Sequence, residues 1–285
     1  MAVPARYAVP GTARLRRLRN GLGDAAVSAG LLATFLVQTI RQVPAAFGRY
    51  RAQTVAQVTD LTWGRGSMVV GGGNVIVMVL LGAGVGGTVA IASYTSLSML
   101  GMGPLTGVVA SFAITREFAP LLAATGFAVQ AGCRMTAEIG SMRISEEIDA
   151  LEAMGLRSIG HVASTRVVAG LITMVPTFVI TLAASYLSCL AVVAARGESV
   201  GAYQHYFDQF ISWQDMAIAT AKVTILIVLV IVIHCYAGYV AVGGPEGVGV
   251  ASGHAVRASL VVIVVIDMLL TIVFWGFTSP LEFRG

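Results

Sequence analysis

The sequence predicts an all-α polytopic membrane protein, in which an N-terminal interfacial helix precedes five transmembrane helices, and a short cytoplasmic helix lies between the second and third spans. Hydrophobic residues make up 56% of the 285 positions and charged residues only 11%, whereas about one quarter of a soluble domain is charged. Five apolar stretches reach the ~20 residues that a helix needs to cross a bilayer. Much of the charge falls in two places, the N-terminal segment and residues 134–166.

The N-terminal segment, residues 1–66, is basic, and we predict it to be cytoplasmic or interfacial; residues 67–285 contain the five spans. The segment holds nine arginines but only two acids. Its apolar run 25–40 has 16 residues, which is short for a span and typical of a helix lying in the membrane interface. A first true span is the alternative. The run ends at Arg41 rather than at a small-residue cleavage site, so no signal peptide is predicted.

The five predicted spans are separated by connections of different character. A short turn covers residues 95–103, a polar loop with several aromatic residues covers 195–214, and a glycine-rich turn covers 241–253. The first span is rich in glycine, and its Gly82 and Gly86 either allow another helix to approach closely or leave room for a ligand tail. The spans themselves are placed at residues 68–94, 105–132, 167–194, 216–239 and 255–278.

Arginine counts predict the orientation. The N-terminal segment has nine arginines and residues 134–166 have four, whereas the 95–103 turn has none and the 195–214 loop has one. Cytoplasmic connections carry the excess of basic residues. We therefore expect the N-terminus and residues 134–166 in the cytoplasm, and five spans then place the C-terminus outside.

Several ionisable residues lie inside the predicted spans. Arg116 and Glu117 precede Pro120 in the second span, Lys222 is in the fourth and Asp267 in the fifth. A charge at the helix centre costs about 2.5–3.5 kcal/mol on insertion scales, so such residues normally face a cavity or one another. For Arg116 and Glu117, the alternative is a place near a membrane face at the break caused by Pro120. Lys222 either extends to the interface or lines a polar pathway.

A short amphipathic helix is predicted at residues 144–155. Its apolar residues follow spacings of four, three and three, which place them on one face, and acidic residues occupy the remainder. Ser145 suits its start and Gly155 its end. It is either a solvated interfacial loop or a docking helix for a soluble partner. The apolar residues are Ile144, Ile148, Leu151 and Met154, and the acidic ones are Glu146, Glu147, Asp149 and Glu152.

The composition excludes several other classes. Three cysteines in or beside apolar stretches do not form a disulfide framework, and four scattered histidines lack metal-ligand spacing. Lys222 is the only lysine and does not stand in a G-x-x-x-x-G-K-[ST] loop. The chain therefore has no P-loop of its own, and we expect no catalytic residue, metal or cofactor in it.

Four sequence blocks together resemble the MlaE/YrbE permease family. They are EFAP at 117–120, TAEIGSMRISEEIDALEAMG at 136–155, TRVVAG at 165–170, and GPEGVG at 244–249 followed by AVR at 255–257. The resemblance covers roughly residues 25–278. The motifs SEEIDALE, STR and GGPEGVG are most similar to those of the YrbE B-type subunit of actinobacterial Mce lipid transporters. Residues 128–132 read AVQAG where the family commonly has A-G-R-x-G, a departure that fits one half of a specialised heterodimer.

The resemblance implies a permease subunit of an ATP-driven ABC lipid importer in the bacterial inner membrane. Its partners would be a related YrbE A-type permease, a cytoplasmic ABC ATPase dimer that binds ATP and Mg, and MCE-domain proteins outside the membrane; no nucleic acid is expected. Its cargo would be fatty acids, mycolic-acid-like lipids or related hydrophobic molecules. An ion-coupled secondary transporter that uses Arg116, Glu117, Lys222 and Asp267 is the alternative.

The resemblance also assigns roles to residues. The ATPase-coupling helix of the family maps onto residues 144–155, with the apolar and acidic residues named above as its contacts. The lipid pathway would include Arg116, Glu117 and Lys222, and we expect Gly82, Gly86 and the kink at Pro120 to shape its cavity.

Overall fold

A computed structural model describes residues 30–63 and 73–276, and these residues form helices and short connections without a strand. The predicted features in residues 1–29, 64–72 and 277–285 lie outside the described residues; they include the start of the interfacial helix, the start of the first span and the end of the last. The helices are α1 (30–47), α2 (Arg51–Trp63), α3 (Gly73–Ser98), α4 (Gly103–Ile144), α5 (Glu147–Ala153), α6 (Gly160–Ala195), α7 (Val200–Phe210), α8 (Trp213–Tyr239) and α9 (Gly244–Trp275).

The five predicted spans are confirmed as α3, α4, α6, α8 and α9, each long and apolar enough to cross a membrane. The protein is therefore an all-α, multi-pass membrane protein. The predicted boundaries were wrong where polar sequence continues a helix. α4 runs to Ile144, twelve residues beyond its predicted end. Its extension carries Arg134, which pairs with Asp60 at 2.6 Å, and Glu138, which pairs with Arg166 at 3.1 Å. These ion pairs connect the polar extension of α4 to α2 and α6.

Two predicted connections are largely helical. The glycine-rich turn is confined to residues 240–243, because α9 already begins at Gly244 with Pro245 in its first turn, where a missing N–H costs nothing. The predicted polar loop 195–214 contains α7, whose first turn is capped by Ser199 accepting from the Ala202 N–H at 3.3 Å.

The second span is not a uniform α-helix. Residues Ala110–Phe118 and Ala128–Gly132 form wider, π-type turns, and the Ala119 N–H donates to the Ile114 carbonyl five residues earlier. Pro120 follows directly. Proline removes one donor from the ladder, and the wide turn before it accommodates this loss within one continuous helix.

The glycines of the first span form a close contact with the third span. A Cβ atom added at Gly82 would lie 2.6 Å from the Thr181 carbonyl oxygen, and one at Gly86 would overlap the Ser185 backbone. The Ser185 hydroxyl donates across the contact to the Gly82 carbonyl at 2.9 Å. Of the two alternatives, the structure shows close helix approach: α6 fills the space in which a ligand tail would have to lie.

The spans differ in how much of their surface the chain itself buries. In the most apolar window of α6, 56% of the residues are buried, against 22% in α3 and 17% in α9. The outer face of α9 bears a row of exposed apolar side chains. These two spans therefore present their apolar surfaces to lipid or to another protein.

The N-terminal helices pack against the same bundle. Phe35 of α1 contacts the rings of Tyr236 and Tyr239 at centroid distances of 5.5 and 5.8 Å, and the Ser164 hydroxyl donates to the Thr39 carbonyl at 2.8 Å. Other apolar side chains of α1, such as Phe47, remain exposed. An interfacial position for this helix stays a prediction.

Candidate functional site

The side chain of Lys222 is the centre of a polar cluster among α4, α8 and α9. It lies nine residues, or about 13 Å, into α8 and is fully buried. Its Nζ is 3.0 Å from Asp267 Oδ1 and 3.3 Å from Glu117 Oε2. It also donates to Thr271 Oγ1 at 2.6 Å and to the Arg116 carbonyl at 2.9 Å. Lys222 therefore does not extend to the interface, and that alternative was wrong.

Pro120 explains why a backbone carbonyl is available to this lysine. In an α-helix the N–H of residue 120 would bond to the carbonyl of residue 116, but proline has no N–H. Lys222 donates to the Arg116 carbonyl instead. Satisfying a buried carbonyl in this way avoids the cost of leaving it unpaired, so the proline and the lysine form one local arrangement.

The side chain of Arg116 forms the second half of the cluster. Its guanidinium pairs with Asp215 at 3.0 Å and lies 3.8 Å above the Phe112 ring. The Asp215 carboxylate also accepts from the Trp275 indole N–H at 2.7 Å and from the Ser212 hydroxyl at 3.1 Å. Arg116 is thus held by a carboxylate and an aromatic face, the two contacts that a guanidinium favours.

We call these residues together the Lys222 cluster. It contains two cations and three carboxylates, and each charged side chain has an oppositely charged partner. Glu117 differs from the rest because 41% of its side chain is exposed, against none of Lys222. Glu117 is therefore the acidic group through which the cluster meets the space outside the bundle. The members are Arg116, Glu117, Asp215, Lys222, Asp267, Thr271 and Trp275.

Sequence reasoning found four members of the cluster and missed three. Arg116, Glu117, Lys222 and Asp267 were identified as charges within spans, and the structure brings all four together. The three missed residues are Asp215, Thr271 and Trp275. A signal was present in the last span, because its polar residues recur every four positions at 267, 271 and 275, which places them on one helix face.

The predicted rim helix is present as α5, but it is shorter than predicted, and its apolar residues do not all point toward the bundle. It begins at Glu147, after Glu146 in a left-handed conformation with φ of 58°. Ser145 does not cap it; the Ser145 hydroxyl donates back to the Ser141 carbonyl at the end of α4. Gly155, with φ of 75°, follows its end as predicted.

The four apolar residues of the rim helix do not share one buried face. Ile148 is fully buried and Leu151 is half-buried, whereas Ile144 is 42% and Met154 67% exposed. The break at Glu146 rotates Ile144, the last residue of α4, away from α5. Ile148 is therefore a packing residue within the chain, and Ile144 and Met154 are the apolar side chains that a partner can reach.

Three of the four acids of the rim are engaged within the chain. Asp149 pairs with Arg143 at 2.7 Å, and the Glu152 carboxylate accepts from the hydroxyls of Ser158 at 2.5 Å and Tyr239 at 3.1 Å. Glu147 accepts from the neighbouring Ser145 hydroxyl at 3.0 Å. These contacts fix α5 against α4 and α8, and Glu146 and Glu147 leave negative charge on the exposed surface.

A largely apolar groove of about 850 Å³ opens between α8 and the first half of α9. Leu32 of α1 closes one side, and the other walls include Tyr236, Val250 and His254. On the opposite side of α9, a second groove of about 720 Å³ is lined by Arg134 and by small residues such as Gly249. Grooves of this size are in the range that holds small hydrophobic ligands.

Five spans, an ion-paired cluster among three of them and a short charged helix exposed between the second and third define a multi-pass membrane protein with charged groups inside its spans. The family model described as Permease MlaE matches residues 63–273. The chain therefore belongs to the MlaE permease family.

Relatives from distant organisms are similar over most of the chain. A Rickettsia bellii protein named "Probable ABC transporter permease protein" is 30% identical over 204 residues, covering 67% of this chain and 74% of that protein. The Haemophilus influenzae "Intermembrane phospholipid transport system permease protein MlaE" is 26% identical over 210 residues, covering 73% and 80%. The Arabidopsis thaliana chloroplastic protein TRIGALACTOSYLDIACYLGLYCEROL 1 is 28% identical over 203 residues, covering 70% and 57%.

Proposed function

We propose that this chain is the transmembrane permease subunit of an ATP-driven ABC lipid transporter in the bacterial inner membrane. The observation that carries the proposal is the pairing of an ion-paired cluster inside the spans with an exposed, negatively charged helix on the rim. The names of the Rickettsia and Haemophilus relatives, an ABC transporter permease and a phospholipid transport permease, support the same function.

The finer assignment follows from the resemblance to YrbE B-type subunits. The chain would pair with an A-type permease in a heterodimer, receive lipid from MCE-domain proteins, and import fatty acids, mycolic-acid-like lipids or related molecules. Two poorly buried spans, α3 and α9, offer apolar surface for such a partner. The N-terminus would be cytoplasmic, as the arginine distribution indicates.

The rim helix supplies the contact with the ATPase in this proposal. Ile144 and Met154 offer exposed apolar surface, and Glu146 and Glu147 offer charge to basic groups on the partner. Glu147 is the better target for mutation, because Asp149 is already paired with Arg143.

The first experiment is co-purification in mild detergent with mass spectrometry of the bound proteins and lipids. We expect an ABC ATPase, a second permease and MCE-domain proteins, with the bound lipid indicating the cargo. Glu147→Arg should remove the ATPase from the eluate while the protein stays in the membrane. Asp208→Arg, an exposed acid on α7, is the matched control and should retain it. An eluate of Glu147→Arg with a full complement of ATPase would refute the role of the rim helix.

A second candidate function is an ion-coupled secondary transporter. It is favoured by the convergence of Arg116, Glu117, Lys222 and Asp267 at one buried place, since ionisable groups within spans commonly mark ion or proton pathways. Uptake by proteoliposomes that hold the permease alone, driven by a pH gradient, would support it. Uptake that requires the ATPase and ATP would reject it.

A further inference from the structure

The last span, α9, is held at one end and flanked by open space at the other. Toward its C-terminal end, Asp267 and Thr271 contact the buried lysine, and the Trp275 indole donates to Asp215. Its first half lies between the grooves of about 850 and 720 Å³, one on each side. Only 17% of its most apolar window is buried. Of the five spans, α9 thus has the smallest buried share of its apolar window within the described chain.

The ammonium group of Lys222 is fully occupied in this arrangement. It has three N–H donors and four oxygen atoms within 3.3 Å, and its side chain is not exposed. A headgroup entering beside the exposed Glu117 cannot bond to this lysine unless one of the four oxygens first withdraws.

The four oxygens belong to two different helices. Glu117 and the Arg116 carbonyl are supplied by α4, in the same segment as Pro120. Asp267 and Thr271 are supplied by α9, and the Thr271 hydroxyl also donates to Glu117 Oε1 at 2.6 Å. A shift of α9 would therefore remove two partners of Lys222 and one hydrogen bond to Glu117 at once, while the contacts made by α4 persist.

We propose that Asp267 and Thr271 are positioning residues that keep Lys222 masked, and that a shift of α9 exposes Lys222 to an anionic lipid headgroup, phosphate or carboxylate. The inference rests on the proposed lipid-transport function. The headgroup takes the place of the Asp267 carboxylate, so one anion replaces another beside the same cation. Phosphate and carboxylate oxygens both accept the charge-assisted hydrogen bonds that an ammonium group donates.

Lys222 is the only lysine of the chain, which allows a direct test. Its modification by an amine-specific reagent, followed by peptide mass spectrometry, reports its exposure. The full-length protein is placed in nanodiscs of phosphatidylcholine, which has no primary amine. Thr224→Val is the matched control, because among the described residues the Thr224 hydroxyl bonds only to its own helix, at the Thr220 carbonyl.

We expect slow modification in the wild type and a rate about ten- to a hundredfold higher in Asp267→Asn, because hydrogen bonds to charged groups make contributions of that order. Thr271→Val should give a smaller increase, and Thr224→Val should match the wild type. Asp267→Glu should restore most of the protection. Equal rates in the wild type, Asp267→Asn and Thr271→Val would overturn the masking role, and so would an equal rise in Thr224→Val, which would indicate general loosening.

The headgroup is tested in the Asp267→Asn protein with phosphatidylglycerol, oleate or inorganic phosphate added. Protection of Lys222 by phosphatidylglycerol or oleate, and not by inorganic phosphate, supports a lipid headgroup and tells phosphate from carboxylate. Protection by neither lipid, or by inorganic phosphate equally well, would overturn the proposal that Lys222 binds a lipid headgroup. Modification needs no transport, so failure of the ATPase to co-purify rejects the proposed function independently of these rates.

Discussion

Replacing Gly84 or Gly86, which lie two positions apart on α3, by alanine should change the stability of the protein in opposite directions. A Cβ at Gly86 would overlap the Ser185 backbone of α6, whereas a Cβ at Gly84 meets no described atom within 4 Å. Gly84→Ala and Gly86→Ala are chemically identical changes in one helix. Only the second must push two helices apart.

The size of the difference follows from two contributions. Alanine in place of a helical glycine stabilises by about 0.5–1 kcal/mol, which we expect at Gly84. Overpacking costs about 1–3 kcal/mol, and at Gly86 the obstacle is backbone rather than a flexible side chain. The helical gain applies to both variants and cancels, so they should differ by the overpacking cost of about 1–3 kcal/mol. For a chain of this size this corresponds to about 2–12 °C in Tm.

Thermal unfolding of the purified protein in one detergent, followed by tryptophan fluorescence, measures this difference. We expect Gly84→Ala to melt at or above the wild type and Gly86→Ala below it. Equal melting temperatures would refute the close contact of α3 with α6. If Gly86→Ala left stability intact but abolished lipid binding, the glycine would line the lipid pathway after all.

The remaining predictions concern the cluster, the rim and the cap of α7. Lys222→Met leaves the buried Asp267 without its counter-ion and should cost about 3–5 kcal/mol. Adding Asp267→Leu should recover about half of that loss in a double-mutant cycle of thermal stability, and strictly additive losses would contradict direct pairing. Ile148→Ala should cost about 2–5 kcal/mol because Ile148 is fully buried, whereas Met154→Ala should stay within about 0.5 kcal/mol; similar losses would show that α5 is misplaced. Ser199→Ala removes the cap of α7 and should cost about 1 kcal/mol, seen as faster amide exchange in its first turn; unchanged exchange would argue against the cap.

The span pattern could be predicted from the sequence, but the helix ends could not. Apolar runs of sufficient length must cross the membrane as helices, because backbone groups in lipid have to be paired within the segment. The ends of α4 and α9 depend on contacts elsewhere in the chain. Arg134, in the extension of α4, pairs with Asp60 of α2 at 2.6 Å, and no local pattern contains that contact.

The same distinction applies to the candidate site. Charges within spans stand out in the sequence because they are costly there, so Arg116, Glu117, Lys222 and Asp267 were found. Their partners do not stand out in this way, since Thr271 is 154 residues from Glu117 and 49 from Lys222. The sequence also did not show in which direction the Ile148 and Met154 side chains point, because that direction follows from the left-handed conformation of Glu146.

By itself, the sequence determined the class of the protein, its five spans, the absence of a P-loop and the position of the charged rim helix. These properties depend on local hydropathy and on residue spacing, which act within one segment. Only the tertiary structure decided that Gly82 and Gly86 pack against α6 and that Lys222 contacts Asp267 and Thr271 of the last span. Both depend on which helices become neighbours, and that is determined by the combined packing of all five spans rather than by any one of them.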